Sequence, residues 1–498
     1  MTSMSSLSTG LTATAIGIVA HLVYFNKGEH HRHGTKYLQA VFAGVLIAST
    51  THHYATSATW ITSVGACFYT LSYFFAGIYG SLLVYRLLLH PLNQFPGPLT
   101  ARTSDIQLSM RLARYHDLHK QTVDLYKAYG PFVRIGSSTL MLAHPLAVPA
   151  IHGPDSLCHR ASMYDFEQPN CGIATRDKQV HASRRRLWSH GFGERALRDY
   201  EDRIGIYVQI FLAHLSKSRG QPVDMAQWTE HFAFDVLGDL ALGKDFGMLR
   251  DGGHPLIEQL VAGMEIMALR LPMWLLRLMV DVAQPLVPTE ESTGFLAFCH
   301  ENLDKMMNNE KRFRRPSLMA PLLAHYEKLP PSQRDISVLR NDCRFAIIAG
   351  SDTVAATLAF IFFYIARHQE HGRKVRDELH SLKRAHGNQE GPLFDHRSIM
   401  NAHHLNAVIN ETLRLHPPAS TNMRVTPPEG LMVGDTFIPG NMTVFSSQYV
   451  IGRSEAVYEK AEDFVPERWY SKPEMIRERA GYAPFSTGTL LRTSCFVI

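Results

Sequence analysis

Glu411-Thr412-Leu413-Arg414-Leu415-His416-Pro417-Pro418 is the stretch from which the rest of the chain is read. A glutamate and an arginine three apart share one helical face and can pair there. The two prolines then stop the helix, because neither has an N–H for the next backbone hydrogen bond. Alone, E-x-x-R is an everyday surface ion pair. It gains weight from its neighbours. Upstream, Ala349-Gly350-Ser351-Asp352-Thr353 sits in a long apolar helical run from near Asp335 to about His368. Downstream come Phe464-Val465-Pro466-Glu467-Arg468-Trp469 and then Phe485-Ser486-Thr487-Gly488.

The chain has 498 residues and a net charge of +5, spread along its length apart from Arg184-Arg185-Arg186. That balance implies no nucleic-acid partner. The six cysteines are scattered and form no C-x-x-C pair, which argues against both a disulfide framework and a zinc site. His30-His31-Arg32-His33 reads as a polar loop.

Residues 1–90 differ in character from the rest. Apolar runs cover 7–25, 37–49 and 61–89, and the third carries no charge between Ile61 and Tyr85. About 20 such residues cross a bilayer. The middle run is short, and a buried core helix is its plainer reading. No basic segment precedes the first run, so a cleaved signal peptide is not expected. Lys27, Arg32 and Lys36 lie between the first two runs, whereas 52–62 has no Lys or Arg. Positive charge favours the cytoplasmic side, so one or three spans leave the remainder in the cytoplasm. The expected division is an anchor at 1–90, a Pro/Gly-rich hinge at 91–103 around Phe95-Pro96-Gly97-Pro98, and one large domain at 104–498.

Within that domain, spacing predicts a helix over 104–129, a strand pair over 131–142 and an unpatterned loop over 159–179. His181-Ala-Ser-Arg184-Arg185-Arg186-Leu-Trp188 opens a densely basic helix. The segment 264–280 is rich in Met and Leu and reads either as a core helix or as a surface dipping into lipid. In the run to His368, glycine costs about 1 kcal/mol against alanine. A buried Asp352 costs more unless paired. Gly350 leaves room for a ligand beside the helix, and Thr353 can bond a carbonyl one turn back and open the helix locally. After a polar helix at 369–382 and the Glu411 helix, short strands are expected at 431–433, 436–438 and 443–446.

In combination and order, these motifs resemble the haem-thiolate monooxygenases, the cytochrome P450 family. The resemblance covers most of the chain after about Phe95. It implies a predominantly α fold with small β-sheets, behind N-terminal transmembrane helices. It also implies haem b as cofactor and insertion of one oxygen atom of O2 into an apolar small molecule. Electrons would come from NADPH through NADPH-cytochrome P450 reductase, at a membrane such as the endoplasmic reticulum, with lipid a further partner. Carried over residue by residue, Asp352 and Thr353 relay protons for dioxygen cleavage. His181, in the place of the family's usual tryptophan, joins Arg185 and Arg424 on the haem propionates. Arg184 or Arg186 would be left to face an acidic reductase. Glu411, Arg414 and Arg468 form a buried structural network, and Trp469 replaces a phenylalanine. The loop over 159–179 would help choose substrates. The Pro-rich exit, the multi-span N-terminus and the F-S-T-G loop look like fungal members, those of benzoate para-hydroxylation and tryprostatin-type indole hydroxylation.

The pattern breaks at the haem loop. The family has cysteine seven after phenylalanine, a second glycine, and then a long helix. Here Cys495, the candidate iron ligand, lies ten after Phe485, and the sequence closes at Ile498. The domain is therefore expected to lack the end of the loop and the helix after it, and to bind haem weakly. A displaced splice junction and a genuinely shortened, inactive product both stay open. The rival reading is a non-enzymatic, haem-free monooxygenase remnant anchored in the membrane.

Overall fold

A computed structural model describes residues 2–106, 109–110, 117–165, 175–255, 257–258, 260, 271–283, 294–309, 315–385, 399–419 and 422–487. The helices that carry the argument are α1 (Thr2–Ala20), α2 (Gly34–Thr56), α3 (Trp60–Val84), α4 (Leu118–Tyr129), α5 (Lys178–His190), α6 (Glu194–Lys217), α7 (Met225–Leu242), α8 (Ile336–Arg367), α9 (Gln369–Ala385) and α10 (His403–Leu415). The strands are β1 (Phe132–Arg134), β2 (Thr139–Leu142), β3 (His159–Arg160), β4 (Arg424–Val425), β5 (Leu431–Val433), β6 (Thr436–Ile438) and β7 (Thr443–Ser446), in two small sheets. The chain is mostly helical. It divides into two compact units, one of residues 1–116, 133–140 and 267–288, the other of the remainder.

In the first unit, α1 and α3 cross almost backbone to backbone. A Cβ on Gly17 would meet the Phe74 carbonyl oxygen at 2.1 Å, and one on Gly77 the Thr14 carbonyl oxygen at 2.2 Å. Small residues permit this approach, which is how helices associate where lipid offers no hydrophobic gradient between them. Leu7–Phe25 and Trp60–Gln94 are long and apolar enough to cross a membrane. The middle helix, α2, is longer than the sequence pattern suggested but falls short on apolarity. Ile336–Arg367 passes the same composition test. It packs against α7 inside the second unit, however, so it is a core helix.

The Pro-rich exit is pinned within the first unit. Arg134 is fully buried and donates to Asn93 Oδ1 at 2.5 Å and to the carbonyls of Gly136 (3.2 Å) and Ser137 (2.6 Å). Its backbone N–H bonds the Pro96 carbonyl, and Gly97 lies so close that a Cβ would strike the Arg134 carbonyl oxygen at 2.2 Å. The helix Met273–Ala283 also belongs here: Thr35 Oγ1 donates to Asp281 Oδ2 at 2.8 Å. Trp274, Met279 and Val282 on that helix are exposed, so its apolar residues do not form a closed core. Residues 264–270 lie outside the described residues.

The second unit is organised by caps and one buried carboxylate. Asp177, Asp224 and Asp335 each accept backbone N–H bonds at the starts of α5, α7 and α8, satisfying donors that a helix N-terminus leaves open. Gly243, at φ +74°, closes α7 in the left-handed conformation. The three strands expected after Arg424 lie where the alternation placed them.

Glu411 sits on α10 with no accessible surface. Its Oε1 accepts from Arg414 Nη2 (2.7 Å), Arg468 Nε (3.1 Å) and the Val465 N–H (2.9 Å). Its Oε2 accepts from Arg414 Nε and Trp469 Nε1, both at 2.9 Å. The remaining guanidinium hydrogens go to backbone carbonyls: Arg414 to Gly452, Ala461 and Asp463, and Arg468 to Glu459 and Lys460. One side-chain network thus fixes the path of residues 452–469 against α10. Glu411→Gln leaves two buried guanidinium groups short of a counter-charge and should cost about 3–5 kcal/mol. Chemical unfolding of the purified chain measures this. A loss below about 1 kcal/mol, as for an exposed pair, would contradict the assignment.

Candidate active site

A cluster of positive charge forms where α5 meets the β3–β4 ladder. Arg424 on β4 stands directly opposite Arg160 on β3 in the antiparallel register. Like charges directly opposite each other destabilise a sheet. The Tyr164 ring partly relieves this pair: its centroid lies 5.1 Å from the Arg160 guanidinium and 5.9 Å from that of Arg424. Arg424 Nη1 also donates to the Met423 carbonyl at 3.0 Å and to the Tyr164 hydroxyl at 3.4 Å.

His181, in the first turn of α5, is buried beside this pair, and its Nε2 has no hydrogen-bond partner among the described residues. Burial first, then the charges of Arg160, Arg185 and Arg424, pull its pKa down to about 4. His152 is a second buried imidazole with an unpartnered nitrogen, Nδ1. Its pKa is pulled to about 3 by burial and by Arg424. Three guanidiniums and a ring nitrogen without a partner among the described residues gather in one place; Arg160 is also held by the Thr175 carbonyl at 2.6 Å. A group bearing carboxylates fits this donor set, because arginine's planar fork takes a carboxylate bidentately. The propionates of haem b are such carboxylates, so the residues present suit that cofactor.

On α8, Thr353 Oγ1 donates to the Ala349 carbonyl one turn back, at 2.8 Å. The helix nevertheless runs unbroken from Ile336 to Arg367, so this bond does not open it. The room at Gly350 is taken up by protein: a Cβ there would meet Leu237 Cδ1 of α7 at 2.8 Å. The glycine therefore serves helix packing. Ser351 Oγ contacts the Ala233 carbonyl on the same side, at 3.4 Å. Asp352 is exposed, not buried as the apolar run around it suggested, yet the protein packed around it desolvates its carboxyl enough to raise the pKa. Glu230 on α7 is raised too, by desolvation and then by the charge of Asp352. One of these two acids therefore holds its proton more readily than an isolated carboxyl group.

The remaining candidates separate. Arg184 is spoken for: its Nη2 lies 2.5 Å from the buried Asp342 carboxylate, so it does not face outward to a partner. Arg186 is exposed. Phe485 is partly buried in a turn closed by the Ser486 N–H on the Ala483 carbonyl. Gly488 and Cys495 lie outside the described residues, as do 166–174 of the loop before α5. Sequence reasoning missed Arg160, which stands in a stretch without periodicity. Its only signal is adjacency to His159 in a basic pair. It also missed that Trp469 supplies a hydrogen bond, which a phenylalanine could not.

His152 and His181 are buried and neutral, and His416, half-buried, is neutral too. His416 is pulled to about 3 by burial and then Arg453, while its ring stacks on Phe360 at 3.7 Å. A folded-state pKa below the ordinary 6.5 means these groups cost nothing above that pH. They destabilise the fold as pH falls from 6.5 toward 3–4, where the unfolded chain binds the protons first. The thermal midpoint of the haem-free chain should therefore drop steadily from about pH 6.5 to about pH 4.5. A midpoint unchanged over that range would contradict the burial of neutral histidines.

Comparison with known proteins agrees with this architecture. The Cytochrome P450 family model matches residues 101–491. Cytochrome P450 monooxygenase sthD of Phaeosphaeria nodorum is 62% identical over 84% of this chain and 87% of its own length. Cytochrome P450 monooxygenase notG' of Aspergillus versicolor is 38% identical over 95% of this chain and 86% of its own. Tryprostatin B 6-hydroxylase of Aspergillus fumigatus is 37% identical, covering 97% and 87%. A match across the whole helical domain, joined to an anion cradle and a threonine-bearing core helix, leads to one conclusion: the chain belongs to the cytochrome P450 family, the haem-dependent monooxygenases.

Proposed function

We propose that this monooxygenase hydroxylates an apolar small molecule of fungal secondary metabolism, with haem b seated on the His181–Arg185–Arg424 cradle. The observation that carries this reading is the unpartnered Nε2 of His181 among three guanidiniums. When bound, haem supplies the redox chemistry that activates dioxygen. The chain's residues do the rest. Arg185, Arg424 and His181 orient the cofactor by its carboxylates, and Arg160 adds to their field. Cys495 is the candidate thiolate donor. Thr353 Oγ1, anchored through its hydrogen to the Ala349 carbonyl, presents its lone pairs as an acceptor. Asp352, raised by desolvation, can hold a proton and hand it on nearer neutral pH than a free carboxyl could.

Tryprostatin B 6-hydroxylase is by its name a hydroxylase, and the same reaction class is assigned here, with the substrate left at that level. Residues 1–90 act as the anchor, 91–103 as the connection and 104–498 as the catalytic domain. The membrane is that of the endoplasmic reticulum, with the catalytic part in the cytoplasm. The placement of Lys27, Arg32 and Lys36 supports this orientation. The exposed apolar residues of Met273–Ala283 give a further contact with lipid. Electrons come from NADPH through NADPH-cytochrome P450 reductase, for which exposed Arg186 offers a basic contact.

Coupling measurements test the proton route. In the haem-loaded protein, Thr353→Ala and Asp352→Asn should each lower product formed per NADPH by roughly 10-fold or more. Peroxide should rise to match, and substrate affinity should stay within about twofold. Unchanged coupling in both variants would show that the pair only shapes α8.

A further inference from the structure

Away from the cradle, three donor side chains converge where α9, α10 and the turn Pro466–Trp469 come together. His371 lies in the first turn of α9, His404 in the first turn of α10, and Glu467 in the turn itself. One ligand atom from each lies within 4.8 Å of the others. His371 Nδ1 is 3.2 Å from His404 Nε2 and 3.8 Å from Glu467 Oε1. A tetrahedral ion with bonds of about 2.0–2.2 Å holds its ligands about 3.3–3.6 Å apart, between these two spacings.

The protonation states suit a metal. Both imidazoles are buried, and burial lowers their pKa values, so they are neutral at neutral pH; the hydrogen bond that joins His371 Nδ1 to His404 Nε2 gives way to the ion by a change of tautomer. Burial works against the Glu467 carboxylate. The hydrogen bond from Lys374, the backbone of its own turn and the neighbouring charges outweigh that and hold it below the usual range. Two neutral imidazoles and a carboxylate are the forms in which these residues bind metal.

The surroundings already orient the donors. Tyr470 OH lies 3.1 Å from His404 Nδ1. With the hydroxyl accepting, Nδ1 carries the hydrogen and Nε2 turns its lone pair toward His371, as outer partners of metal-binding histidines do. The Glu378 carboxylate accepts the backbone N–H groups of His404 and Leu405 and fixes the start of α10. The Phe464 ring closes one side edge-on to His371, with centroids 5.6 Å apart. Lys374 Nζ, 2.5 Å from Glu467 Oε1, is a built-in competitor that an ion must displace.

We propose that His371, His404 and Glu467 form a site for one divalent transition cation, best suited to zinc, with water completing a tetrahedral set. The ion clamps α9 and α10 to the turn whose next residue, Arg468, joins the Glu411 network. The site is separate from the haem residues and needs none of them.

The test is titration of the purified full-length chain, stripped with chelator, with Zn2+ alone and with Co2+ as a spectroscopic substitute. The expected result is one Zn2+ per chain, a raised thermal midpoint and intense tetrahedral Co2+ bands. His371→Gln and His404→Gln should abolish the Co2+ bands and weaken Zn2+ binding by more than about 100-fold. Tyr470→Phe should weaken it by about 10-fold. Lys374→Met, at a half-exposed position, should tighten it. Equal Zn2+ binding by the chain and both histidine variants would assign the metal to surface histidines and overturn the proposal. Where the histidine variants do not fold, the opposite shifts of Lys374→Met and Tyr470→Phe decide. Zn2+ affinity unmoved in both would leave only a histidine pair beside an ion pair, and would overturn it equally.

Discussion

The carboxylate of Glu411 is the interaction on which the catalytic unit depends. An ionised carboxylate with no accessible surface survives only when its lone pairs are filled. Here Arg414, Arg468, the Trp469 indole and the Val465 N–H fill them. Each arginine in turn spends its other hydrogens on carbonyls between residues 452 and 463. Backbone without helix or strand is thereby supplied with the partners it would otherwise take from water. The charge is expensive to bury, so the gain lies in specificity: one conformation of a long irregular segment satisfies the whole set.

The cationic cradle follows the opposite logic. The Glu411 network is complete in itself, whereas Arg160, Arg185 and Arg424 gather positive charge around His181 and His152, each of which has a ring nitrogen with no partner among the described residues. Such a cluster raises the energy of the protein alone and lowers that of a complex with a carboxylate-bearing cofactor. The β3–β4 register does this by placing Arg160 opposite Arg424. The two sites divide the work between folding and binding.

Much of this was legible in residues whose spacing is fixed by local geometry. Glu411 and Arg414 are three apart on one helix, and their pairing can be read directly. The strands 431–433, 436–438 and 443–446 announce themselves by alternation between turns. What could not be read depends on chain segments distant in sequence. Nothing local says that Arg184 meets Asp342, or that Leu237 fills the space at Gly350. Trp469 stands where the motif has phenylalanine, and the motif carries no sign that the indole N–H would reach Glu411. The Pro-rich exit suggested a hinge, whereas buried Arg134 ties it down through bonds that no periodicity reveals.

The central claim is that this chain holds its cofactor by the carboxylates, through the cradle. Binding of haemin and of haemin dimethyl ester to the same purified chain separates that contact from all others, since the ester keeps the ring and iron but loses both charges. Haemin should bind more tightly by about 10-fold or more, a loss of at least one charge-assisted hydrogen bond. That advantage should shrink in Arg424→Gln. Equal affinities for the acid and the ester, unchanged by the substitution, would contradict the account.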